Sequence, residues 1–144
     1  MIAIASDHAG VAVKADVLRR LQELGLDVED LGPTDTTSVD YPDYAHLLAR
    51  AVADGRVARG VLICGTGIGM AMSANRHRGV RAALCHDAYT AEMARRHNDA
   101  NVLCLGARVL GAGVVEQLVD VFMTTEFDGG RHQRRVGKIE REEP

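Results

Sequence analysis

The chain has 144 residues, 47% hydrophobic and 26% charged, enough for one compact domain with a real core and ordinary for a globular protein in water. A net charge of −3 gives no reason to expect nucleic acid or an anionic membrane as partner. The three cysteines, Cys64, Cys85 and Cys104, form no Cys-x-x-Cys pair, which speaks against a disulfide framework or a zinc site and for reduced thiols in the cytoplasm.

Met1 leads straight into IAIAS (2–6), an apolar run with no charged leader, so a first strand is expected and a signal peptide is not. SDHAG (6–10) follows as a loop. Val17, Leu18, Leu21 and Leu24 then share one helical face, with Gly25 ending that helix. DVEDLG (27–32) reads as a second strand and GPTDTTSVDYPDYA (32–45) as a long loop. GVLICG (60–65) is the third strand, opening into CGTGIGM (64–70) with a helix starting at about Ile68. VRAALC (80–85) and NVLCLG (101–106) are the fourth and fifth strands, followed by the loops CHDAYT (85–90) and GARVLG (106–111). Val114, Val115, Leu118, Val119 and Phe122 line a last long helix, and from about residue 128 the chain becomes a basic tail with room for a short helix. No longer apolar stretch could span a bilayer.

Strands that are apolar throughout, rather than alternating, are covered on both faces, as in a parallel sheet with crossover helices. The expectation is therefore a three-layer α/β/α, Rossmann-like domain over 1–144, with five parallel strands and its functional groups in loops beyond the strands' carboxyl ends.

The loop after the third strand carries Gly65, Gly67 and Gly69 behind Cys64. A Walker loop needs Lys then Ser or Thr after its last glycine, where Met70 and Ala71 stand. A dinucleotide fingerprint needs a sixth-position glycine, and Met70 or Met72 occupies it; Asp87, about twenty residues on, keeps that reading weakly open. A cysteine phosphatase needs Arg six residues after the thiol, again Met70. What remains is a thiol at a strand end facing loop amides and a helix start, a setting that favours a thiolate and offers donors to an oxyanion.

SDHAG, SVDYPDYA (38–45), ICGTGIGM (63–70), RHNDANVL (96–103), GARVLG and GGRHQRRV (129–136), in this order and spacing, resemble the type B ribose-5-phosphate isomerases and the related galactose-6-phosphate isomerase subunits. The resemblance spans residue 2 to about 136 and implies strand order 2-1-3-5-4. It implies aldose–ketose isomerisation of a small phosphorylated sugar through an enediolate, with no cofactor and no metal. Cys64 then matches the base, Thr66 and the amides around Gly65, Gly67 and Gly69 the enediolate site, and His97 the ring-opening histidine. Asp7, Tyr41 and Asn98 match residues around the sugar hydroxyls; His8, Arg108, Arg131 and Arg135 match the phosphate site. A homodimer or tetramer with sites between subunits is implied as well. Ser6, where Ala or Cys is commoner, and Arg134, where Gln is common, depart from the pattern.

Single residues also have plainer roles: Asp7 as a helix cap, the arginine run as a solvated face. Ribose 5-phosphate is the leading substrate, with galactose 6-phosphate, allose 6-phosphate or a tetrose phosphate as rivals. A non-catalytic phosphosugar- or nucleotide-binding module is the alternative from another class. No His, Cys or carboxylate cluster has metal-ligand spacing in the sequence.

Overall fold

A computed structural model describes residues 1–142. Five parallel strands, β1 (Ile2–Ser6), β2 (Val28–Asp30), β3 (Arg59–Cys64), β4 (Ala82–Leu84) and β5 (Val102–Gly106), form one sheet in the order β2-β1-β3-β5-β4. Six helices cross between or follow them: α1 (Val11–Glu23), α2 (Tyr41–Ala53), α3 (Ile68–Ala74), α4 (Ala88–Arg96), α5 (Ala112–Thr124) and α6 (Arg131–Val136).

The apolar runs are explained by the pleat, which sends successive side chains to opposite faces. Ile2, Ile4, Val61, Ile63, Leu103 and Leu105 pack beneath α1, α4 and α5. Ala3, Ala5, Leu62, Cys64, Val102 and Cys104 pack beneath α2 and α3. Both faces are covered, so every position of the central strands except Arg59, at the start of β3, is buried.

The edges differ from expectation. The second strand shrinks to three residues, although the Leu31 N–H still reaches the Ile4 carbonyl and the Ser6 N–H the Gly32 carbonyl, and Pro33, with no N–H, carries the pairing with β1 no further. The fourth, on the other edge, is equally short. The predicted loop 32–45 gives its last residues to α2, which starts at Tyr41 with Pro42 in its first turn, where a missing N–H costs nothing. CHDAYT likewise yields to α4 from Ala88, whose Thr90 N–H is capped by the Asp87 carboxylate at 2.7 Å. The tail does form a short helix, α6.

Candidate active site

At the sheet's carboxyl edge, β3 ends in Cys64 beside Gly106 of β5. The Ala107 N–H donates to the Cys64 carbonyl at 2.8 Å and the Arg108 N–H to the Gly65 carbonyl at 3.0 Å, which sutures the two loops. Gly67 adopts φ +79°, and a Cβ there would lie 2.6 Å from Leu84 Cδ1. Only glycine allows this turn, and it aims the Gly67 N–H at Cys64 Sγ, 3.1 Å away. Such a donor interacts more strongly with a thiolate than with a thiol. Thr66 is exposed at the loop's tip, its Oγ1 accepting from the Ile68 N–H at 3.2 Å. A Cβ on Gly69 would fall 2.5 Å from the Tyr41 ring, so Tyr41 lies directly across the start of α3.

Asp7 follows β1, its backbone N–H bonded to the Ile63 carbonyl at 3.0 Å. Oδ1 accepts from the Ala9 and Gly10 N–H groups at 2.9 and 3.2 Å, so the plain capping role is real. Oδ2 has no partner among the described residues and remains available. His8 Nδ1 accepts from the Val39 N–H at 3.1 Å, which leaves Nε2 to carry the ring proton and donate outward. The Arg108 guanidinium lies over Gly65, with Nη1 3.3 Å from where a Cβ would stand.

Burial pushes the Cys85 thiol up to about 11 and raises Cys104 as well, so both stay protonated near neutrality. Of the three thiols, Cys64 is the one facing an amide donor at the loop.

The remaining expected residues gather elsewhere. α4 carries the chain back to the amino edge of the sheet, where His97 ends the helix and exposed Asn98 follows. The His132 ring stacks on His97, centroids 4.2 Å apart and planes 9° apart, and so brings Arg131 and Arg135 of α6 to the same edge. The junction is tied by Arg96 Nε to the Asp128 carboxylate at 3.2 Å and by the Asp128 N–H to the Arg96 carbonyl at 3.0 Å. Partial burial, then His97, Arg131 and Arg135, hold the His132 pKa below its usual 6.5. The four residues of β5 above Val102 separate this cluster from Cys64, about 13 Å along the strand.

Neither His132 nor Asp128 was expected at the site; GGRHQRRV does set a histidine among arginines, but only the fold stacks it on His97. His97, Asp128 and His132 have donor atoms within 4.8 Å of one another, a metal-like set that sequence spacing does not reveal. Parallel rings point their lone pairs alongside rather than toward one point, and the adjacent guanidiniums repel a cation. The cluster suits an anion. No helix among the described residues is long and apolar enough to cross a membrane.

Residues 2–139 match the family described as Ribose/Galactose Isomerase. The chain belongs to this family. As such it is a sugar-phosphate isomerase. It is 47% identical to the solved ribose-5-phosphate isomerase B of Clostridium thermocellum, with a TM-score of 0.94 over 96% of this chain and 93% of that one. The Mycoplasma genitalium ribose-5-phosphate isomerase B, solved with bound ribulose 5-phosphate, is 45% identical with a TM-score of 0.92 over 96% and 92%. A D-erythrulose-4-phosphate isomerase of Pectobacterium atrosepticum is 44% identical over 96% of this chain and 91% of its own. Family members at nearly equal identity thus carry names for five- and four-carbon substrates.

Proposed function

We propose that the isomerase interconverts ribose 5-phosphate and ribulose 5-phosphate, with the whole chain acting as one unit and Cys64 as the base. The observation that carries this is the buried thiol held 3.1 Å from an inward-facing amide, at a loop ringed by Asp7, Tyr41 and Arg108. Ring opening comes first: the O1 hydroxyl loses its proton, the C1–O4 bond breaks and O4 takes up a proton. His97 suits this exchange because imidazole gives and accepts protons near neutral pH. The Cys64 thiolate then removes the C2 proton, and charge moves onto O1 to give the enediolate. Thr66 and the amides of Gly65, Gly67 and Gly69 face that oxygen charge. Return of the proton to C1, with O2 losing its own to O1, completes the ketose. No step calls for a metal or cofactor.

Cys64 and His97 lie at opposite edges of one sheet, so a single chain does not present both to one sugar. The same holds for Arg108 against Arg131 and Arg135, and one phosphate suits all three only across two chains. We infer a homodimer, or a dimer of such dimers, whose sites pair one copy's carboxyl edge with its partner's amino edge. Exposed Tyr41, Ile68, Met72, Tyr89 and Val109 around the carboxyl edge support an interface there. Three free thiols suit a reducing compartment such as the cytoplasm.

The test is solvent exchange. Ribulose 5-phosphate incubated with the isomerase in heavy water should gain deuterium at C1; no exchange would reduce the chain to a binder. The relative named for erythrulose 4-phosphate favours a tetrose phosphate as second reading. Turnover compared on four-, five- and six-carbon phosphates decides between them, and the pentose should show the highest kcat/KM.

A further inference from the structure

Asp99 is the one non-glycine with left-handed backbone among the described residues, at φ +44°, and it stands two positions beyond His97. A helix commonly ends in this conformation, and glycine adopts it most easily. Here the residue is an aspartate, and its carboxylate is gripped from two sides. Arg95 of α4, 4% exposed, reaches Oδ1 at 3.0 Å, and also bonds the Ala100 carbonyl and the Thr125 carbonyl, the latter at 3.2 Å. Arg81, ahead of β4, reaches Oδ2 at 3.4 Å and the carbonyls of Asn98 and Asp99 at 3.2 and 3.0 Å. Two guanidiniums therefore hold the carboxylate and every carbonyl from 98 to 100. A cap alone would need none of this, since glycine would suffice. Backbone kept in a sparsely populated region by such over-determined contacts is a pointer to function.

We propose that Asp99 is a positioning residue for ring opening, its double arginine clamp fixing the angle at which His97 and Asn98 leave α4. This rests on the ring-opening role assigned to His97. The clamp orders the backbone behind a histidine whose front face is braced by the His132 ring at 4.2 Å. It touches nothing at the carboxyl edge, so at saturating substrate, where any change in the sugar contacts of Asn98 drops out, proton transfer at Cys64 does not depend on it.

That separation supplies the test. Ribose 5-phosphate is mainly a closed furanose, whereas ribulose 5-phosphate, with its O5 phosphorylated, stays open. Deuterium wash-in at C1 of ribulose 5-phosphate therefore needs the base but no ring opening. Asp99→Gly keeps the backbone conformation and removes the carboxylate that ties the two arginines together, leaving only their bonds to carbonyls. Isomerisation of ribose 5-phosphate should fall about tenfold to a hundredfold, while wash-in stays within about threefold of the native rate. Asp99→Asn, which tolerates the conformation and keeps one acceptor, should show the same split to a smaller degree. It carries the test should the glycine variant not fold. Isomerisation at the native rate, or equal loss of both readouts, overturns the proposal. His97→Ala is run beside them: if it separates the readouts and the Asp99 variants do not, only the clamp falls. If His97→Ala does not separate them either, the ring-opening assignment falls with it.

Discussion

At the carboxyl edge, Asp7 and Cys64 stand at or beside the ends of buried strands and are oriented by backbone amides. At the amino edge, His97, Asn98, Arg131 and Arg135 stand on helix ends and a tail held by ion pairs and ring stacking. Backbone geometry in a dry setting does not relax when a side chain is trimmed, and it suits steps that need a fixed approach to one proton. Exposed guanidiniums are long, screened and adaptable, and suit gripping a dianion. The contrast teaches that abstraction of the carbon-bound proton should depend on the carboxyl edge and ring opening on the amino edge, with the phosphate grip shared between Arg108 at the first and Arg131 and Arg135 at the second.

The largest effect expected is at Cys64. Cys64→Ala should fold and bind ribose 5-phosphate by calorimetry yet lose about 10²–10⁴-fold in kcat, the range of a general base. Substantial remaining activity would make Cys64 a packing residue and remove the contrast. Mixing is the next test. Cys64→Ala and His97→Ala, each inactive alone, should regain about a quarter of native activity when dissociated and reassembled together, because half of the random dimers contain one intact site of two. No recovery would confine each site to a single chain.

Smaller effects should distinguish the arginines. Arg135→Ala and Arg108→Ala should each raise KM for the phosphorylated sugar about ten- to a hundredfold, with less change for an unphosphorylated one, since a charge-assisted hydrogen bond is worth about 1.5–3 kcal/mol. Among the described residues neither has a carboxylate partner to release. Equal losses on both sugars would exclude a phosphate role. Alkylation followed by mass spectrometry near pH 8 should label Cys64 first and be slowed by substrate, while Cys85, held up to about 11 by burial, stays protonated.

The smallest effect should involve neither edge. His46 Nδ1 and His77 Nε2 are 2.7 Å apart between α2 and the turn after α3. Burial, then His46 and Arg50, lower the His77 pKa below 6.5. The unfolded chain takes up that proton first, so the stability present above 6.5 is lost as pH falls below it. Thermal melting should show a small decline in that direction, flattened in His77→Gln, with no matching change in substrate affinity at pH 7.

The sheet was legible because parallel strands buried on both faces must be apolar at every position, which Val61-Leu62-Ile63 and Val102-Leu103-Cys104-Leu105 satisfy. The glycines of the 64–70 loop were legible too, since φ +79° at Gly67 and the approach of Tyr41 to Gly69 tolerate nothing larger. Strand ends at the margins were not, because Val28–Asp30 and Ala82–Leu84 stop where a neighbour or a donor runs out, a matter of sheet order. Pairings between remote segments were equally hidden: His132 on His97, Asp128 on Arg96, and Arg81 with Arg95 on Asp99. By itself the sequence determined residue chemistry and local backbone preference, both written into short stretches of chain. Only the tertiary structure decided that Cys64 and His97 face opposite edges, because the crossover through α4 must return the chain to the start of a parallel neighbour before β5 can begin.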